Sequence, residues 1–242
     1  MIEELQLTLT NLINSNVSNT HLIYDFNLFD NSVIQKLWST ENYCKDLISL
    51  DVNTFWVQPS ESDTQSAGFN SLTQAPTFDI VGYCRQFNLL LDGFFMNSMS
   101  TLDTLAHEIS ILYSLCRNLD DIYITNINSA LNQNLKISRF IRSQLNLVWF
   151  NNFKKYRHCT THESLIRISD IDIRFDQDTK RFELIKKIKL PDNPKIRPFT
   201  YEKGRIPVTY CESSLKRIQS FVVRAYKNIL IDIQRNNNTI PI

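Results

Sequence analysis

Between Ile80 and Arg117 apolar or small side chains recur in steps of three and four, at Cys84, Phe87, Leu91, Phe94, Ser98, Leu102, Leu105, Ile109, Leu112 and Cys116. Residues spaced this way share one face of an α-helix. A single helix over that stretch is roughly 55 Å long at 1.5 Å per residue. A stripe of that length commits the chain to a mainly α fold. Gly93 is the candidate bend, because glycine weakens a helix interior by about 1 kcal/mol relative to alanine.

The same spacing predicts helices over residues 3–15 and 31–50, with an Asn- and Ser-rich break from Asn14 to Thr20. Residues 127–134 read as a short helix or the approach to one, and "LKISRFIRSQLNLVWFNNFKKYRHCTTH" as one long helix through Ile137, Ile141, Leu145, Trp149, Phe153 and Tyr156, ending near His162. The period then switches from helical to alternating: Ile166, Ile168, Ile171, Ile173 and Phe175 precede "DQDTK", and Phe182, Leu184, Ile188 and Leu190 follow it. That pattern predicts a β-hairpin at about 166–190. Pro191, Pro194, Pro198 and Pro207 make the next stretch irregular. A last helix, opened by Thr209 and Glu212 at capping-box spacing, carries Leu215, Ile218, Val222, Ala225, Ile229 and Ile233, and the tail "RNNNTIPI" frays. From Pro59 to Pro76 the chain is polar and proline-bounded, the composition of a flexible connection. It divides a helical N-terminal extension, 1–76, from a helical domain, 77–242.

Composition narrows function by exclusion. The 26 Lys and Arg against 25 Asp and Glu leave no global field, so a nucleic-acid site must be local. Met1 does not open a secretory signal and no apolar run reaches bilayer length, so the expected setting is the cytoplasm, with no membrane partner. Five well-separated cysteines suit buried thiols in a reducing compartment better than a disulfide framework or a paired zinc site. With only 4 glycines, a Gly-rich phosphate loop is disfavoured, and no cofactor is expected.

Chemistry concentrates in "FKKYRHCTTHES", residues 153–164. His158 and His162, four apart, are neighbours on a helix, whereas Arg157 and His162, five apart, lie about 140° apart around its axis. Phe153 and Tyr156 mark the buried side, and both histidines point largely away from it. Arg157, four intervening residues and His162 resemble the RX4–6H motif of HEPN domains; asparagine commonly follows the motif arginine there, and His158 stands at that place here. The preceding helix "SMSTLDTLAHEIS" and the helix leading into the motif are similar in order to the family, from Thr77 to about Glu163 plus the final helix.

The resemblance implies a HEPN-like helical bundle with a small inserted β-hairpin, and an RNA-binding protein or metal-independent endoribonuclease of a toxin–antitoxin or phage-defence system. RNA, a second copy of the chain in a homodimer, and an antitoxin or defence partner are the partners it implies. Arg157 and His162 become the catalytic pair: a guanidinium offers a planar fork to phosphate oxygens, and an imidazole moves protons near neutral pH. His158, Asp103, Tyr156 and Lys154 are supporting candidates. Asp103 would orient Arg157, Lys154 would attract phosphate together with Lys155, Arg139 and Arg142, and Tyr156 or Trp149 would stack a base.

Other readings stay open. Arg157 and His162 also suit a helix end whose carbonyls they satisfy, in a non-catalytic helical interaction module. His158 and His162 stand at metal-ligand spacing, and His107 or Glu108 would complete a site resembling those of DinB-like metal-binding bundles. Cys159, between the two histidines, is a candidate thiolate nucleophile, although its position favours an inward, apolar role.

Overall fold

A computed structural model of the chain describes residues 2–16, 20–57, 77–115, 121–162 and 166–235. Six α-helices lie among them: α1 (Ile2–Asn16), α2 (Thr20–Ser49), α3 (Ile80–Leu112), α4 (Lys136–Leu145), α5 (Val148–His162) and α6 (Pro207–Arg235). Two short antiparallel pairs accompany them, β1 (Trp56–Val57) with β2 (Thr77–Phe78), and β3 (Ile173–Asp176) with β4 (Arg181–Leu184). The fold is mainly α, as the apolar periodicity predicts.

The two longest helices, α2 and α3, run antiparallel. Lys36 Nζ donates to Thr104 Oγ1 at 2.7 Å, while Tyr43, two turns further along α2, meets Gly93, three turns earlier on α3. Gly93 bends nothing: α3 is continuous through it. Its role is close approach, since a Cβ at that position would lie 2.3 Å from Cε1 of the Tyr43 ring. At its start α3 is capped by Asp79, whose Oδ1 accepts the Gly82 N–H at 2.8 Å. It stops at Leu112, short of Arg117, and Ser114 takes a left-handed φ of 44° just beyond.

The division at residue 76 does not separate two cores. Leu9 and Ile13 of α1, and Phe26, Val33, Leu37, Cys44 and Leu47 of α2, belong to the same buried cluster as Phe94, Leu105, Phe153, Phe221 and Ile229. Burying such side chains stabilises a fold by about 1.5–3 kcal/mol each, so α1 and α2 are walls of the bundle and not an extension of it. The connection at 58–76 lies outside the described residues, as do Cys116 and the tail 236–242.

The single helix expected from residue 135 to His162 is two helices. Asn146 and Leu147 form a tight turn in which the Leu147 N–H reaches Gln144 O at 3.1 Å. The cause is a change of packing partner. Phe140 of α4 meets Phe221 of α6 at 5.1 Å between ring centres, whereas Phe153 of α5 meets Phe95 of α3 at 5.2 Å. Apolar spacing continues across the turn because both helices bury a face in one core. The expected short helix at 127–134 is a single 3-10 turn, Ile127–Ser129. The last helix begins at Pro207, two residues before the Thr209 capping box, because proline's fixed φ and missing N–H suit a first helical position.

The β-hairpin is present but shorter than its alternating pattern. Its ladder covers Ile173↔Leu184 to Asp176↔Arg181, and the flanking arms stay together through isolated bonds such as Ser169 N–H to Lys189 O at 2.9 Å. Phe182 docks it against the β1–β2 pair and the turn before it, 5.4 Å from the Phe78 ring, while the Phe182 N–H donates to Asn53 Oδ1 at 2.8 Å. The following proline-rich stretch is irregular and ordered by one carboxylate: Asp192 accepts the Glu202 and Lys203 N–H groups, each at 2.9 Å, and the Thr200 hydroxyl at 2.8 Å.

Candidate nucleic-acid interface

Helix α5 has two faces of different character. Phe150, Phe153, Tyr156 and Cys159 are buried, and Lys154, Lys155, Arg157 and His158 turn towards a cleft of about 410 Å³. Met99 and Asp103 of α3 form its second wall, and Tyr123, Thr125 and Lys195 contribute from two irregular segments. Four cations and one histidine thus face a single carboxylate in a protein whose total charge is close to balanced. Such a cleft concentrates positive potential where the molecule as a whole has almost none.

Asp103 is held in place without a direct salt bridge among the described ion pairs. Its Oδ1 accepts the Ile124 N–H at 3.0 Å. Burial pushes its carboxyl above the usual range, and that N–H together with the charges of Arg157, His107 and Lys36 pulls it partly back. Asp103 and Arg157 therefore share the cleft and act on each other through space. In the same way burial lowers Lys36, and the Asp103 charge opposes the shift.

The buried side of α5 anchors the rim. The Tyr156 hydroxyl donates to Pro191 O and accepts from an Arg205 Nη1–H at 2.8 Å, while a second bond from the same nitrogen reaches Asp192 O at 3.1 Å. Phe95 stacks on the Tyr156 ring at 5.3 Å with an interplanar angle of 22°. These contacts fix the stretch that brings Lys195 to the cleft. They also correct the expectation for Tyr156, which at 0% exposure stacks on protein and supports the site from beneath.

Of the residues singled out by sequence, Arg157, His158, Lys154 and Asp103 come together in the cleft. His162 is the last residue of α5, one turn beyond His158, and its side chain lies outside the described residues. Arg139 and Arg142 are not part of the strip, because they belong to α4; Arg139 Nη2 instead donates to Asn134 O at 3.2 Å. Trp149 is covered by the Arg217 guanidinium, 5.7 Å from its ring centre. Cys159 points inward, with Sγ 3.9 Å from Pro194 O, which leaves no place for a thiolate nucleophile.

The groups offered to complete a metal site are engaged elsewhere. His107 Nε2 lies 2.8 Å from Ile122 O, the distance of a hydrogen bond to a carbonyl. Glu108 is fully buried and its Oε2 accepts from Tyr226 at 3.1 Å. Among the described residues no group of three metal-ligating side chains converges.

Tyr123, Thr125 and Lys195 escaped the sequence reading. The only local signal is the alternation in "DIYIT", which buries Ile122 and Ile124 and turns Tyr123 out. No described helix is long and apolar enough to cross a membrane. Comparison with protein-family models, with curated proteins and with solved structures finds no match to this chain.

Proposed function

We propose that this chain binds RNA in the α3–α5 cleft and, as a HEPN-like homodimer, cuts it without a metal ion. The convergence of Lys154, Lys155, Arg157 and Lys195 on one cleft beside His158 is the observation that supports this reading. A ribose 2′-hydroxyl attacks the adjacent phosphorus, the bond to the 5′-oxygen breaks, and a 2′,3′-cyclic phosphate and a 5′-hydroxyl result. That route requires a group to take the 2′ proton, a group to protonate the leaving 5′-oxygen, and positive charge near the phosphorane. In this proposal Arg157 supplies the charge and His162 a proton-transfer group, while Lys154 and His158 position the phosphate. Two copies across a twofold axis supply the two proton-transfer groups that one motif cannot. A toxin–antitoxin or phage-defence role remains part of the proposal.

Incubating wild type, Arg157→Ala and His162→Ala with labelled single-stranded RNA, with and without chelator, tests it. The expected result is chelator-resistant cutting that drops at least about a hundredfold in each variant, the scale of a lost general acid–base group. Chelator-sensitive cutting, or cutting unchanged in both variants, overturns the catalytic assignment.

A non-catalytic interaction module is the second reading, and α2 favours it. Tyr24, Leu28 and Trp38 are 68%, 52% and 64% exposed and fall within about 80° of one another around the helix. Single exposed apolar residues are ordinary, but three on one helical face suit a protein partner. Absence of cutting by a folded, dimeric wild type moves the assignment to this reading.

A further inference from the structure

We propose that Tyr123 is a preformed stacking platform that makes the cleft select nucleic acid with unpaired bases; this rests on the reading of the cleft as an RNA site. Cations alone attract any polyanion, because they read charge and not bases. A ring among them adds a surface on which any base can stack, and bases already stacked inside a duplex cannot use it.

Tyr123 is 46% exposed and lines the cleft together with Lys154, Lys155, Arg157 and Lys195. Its backbone is fixed on both sides. His107 Nε2 of α3 holds Ile122 O at 2.8 Å, and Asp103 Oδ1, four residues earlier on the same helix, takes the Ile124 N–H at 3.0 Å. The Tyr123 N–H donates to Asn126 Oδ1 at 2.9 Å, and Tyr123 O accepts the Asn126 and Ile127 N–H groups, each at 3.0 Å. Ile122 and Ile124 are sunk in the core at 1% and 0% exposure. The ring is thus presented by a clamped segment, and a ligand that stacks on it has little backbone to order. Asp103 serves both purposes, lining the cleft and holding the segment that carries the ring.

A lone exposed tyrosine is normally just surface. Two features separate this one. It stands inside the cation-lined cleft, and two half-buried polar side chains of α3, Asp103 and His107, bond the residues flanking it. The nearest aromatic residues of α5 (Phe150, Phe153 and Tyr156) are fully buried, so the six-membered ring in the cleft wall is that of Tyr123, beside the smaller imidazole of His158.

The test measures binding by the full chain to a labelled oligoadenylate, to an abasic ribose-phosphate oligomer of equal length, and to duplex RNA, for wild type, Tyr123→Phe, Tyr123→Leu and Lys154→Ala. His162→Ala serves as the background, so that no substrate is cut. Wild type and Tyr123→Phe are expected to bind oligoadenylate more tightly than the abasic oligomer, and Tyr123→Leu to lose roughly five- to a hundredfold for oligoadenylate alone. Lys154→Ala weakens all three ligands together. Equal binding of oligoadenylate by Tyr123→Leu and wild type overturns the platform while leaving the cleft assignment intact if Lys154→Ala still weakens binding. Absence of wild-type binding to every oligomer overturns the RNA reading and the platform with it. Tyr123→Leu keeps an apolar side chain, so a circular-dichroism spectrum equal to wild type separates lost stacking from lost fold.

Discussion

Glu108 is the residue whose surroundings determine most about its chemistry. Burial first, and the neighbouring Asp30 charge second, hold its carboxyl well above the usual range, and its Oε1 receives no donor. A protonated Glu108 that donates to Asp30 resolves both facts. Tyr226 then donates to Glu108 Oε2 at 3.1 Å or to Asp30 Oδ1 at 3.3 Å, and Thr10 adds a 3.2 Å bond to Asp30 Oδ2. Asp30 is raised as well, by burial that the bonds from Gln6, Thr10, Tyr226 and Glu108 only partly offset. The folded protein therefore holds protons that the unfolded chain releases above the ordinary values of 3.8 and 4.5. Stability from this cluster is complete below those values and is lost as pH rises through the folded-state values. We expect the urea midpoint of wild type to fall as pH rises above the ordinary carboxylate values, and Glu108→Gln, which keeps a donor towards Asp30 and removes the titration, to flatten that slope. An unchanged slope in the variant places the pH dependence elsewhere.

Elements in this fold depend on partners far away in sequence. Helix α4 has no side-chain cap of its own at Leu135; Asp232 of α6 supplies it, with Oδ1 accepting the Lys136 N–H at 2.8 Å and Oδ2 the Ile137 N–H at 2.9 Å. Asp232→Ala strands two N–H groups, that of Ile137 buried and that of Lys136 partly so, and a loss of about 1–3 kcal/mol is expected. Asp232→Asn, which keeps one acceptor, is expected to recover part of it. Urea denaturation, with faster amide exchange in Lys136–Leu145, is the measurement. This dependence also marks how far the sequence is legible. The faces of α3 and α5 follow from three- and four-residue spacing, which is why Arg157, His158 and Lys154 are found on one side of one helix. Spacing carries no information about what crosses above that face. Tyr123 and Lys195 reach the cleft through a clamped turn and a proline-rich excursion, and the turn at Asn146 arises from two helices choosing different neighbours. Gly93 illustrates the same limit: its small size is legible, but the Tyr43 ring that requires it is not.

For the whole molecule, α1 and α2 are walls of one shared core. A chain beginning at residue 77 exposes the α3 face that Val33, Leu37, Cys44 and Leu47 help to cover within the shared core. It is expected to melt without a sharp transition by circular dichroism, whereas full-length protein melts cooperatively; equal, sharp melting of both chains contradicts the single-core description. Helices α2 and α6 meet through Asp30 and Tyr226 as well as through apolar packing. The trans cap on α4 has a consequence for biosynthesis. A ribosome delivers residue 136 long before residue 232, so α4 emerges with its amides unclaimed and waits for the closing helix. The native first turn of α4 therefore forms only once residue 232 has joined it, and the ninety-odd residues in between are made while those amides have no carboxylate to meet.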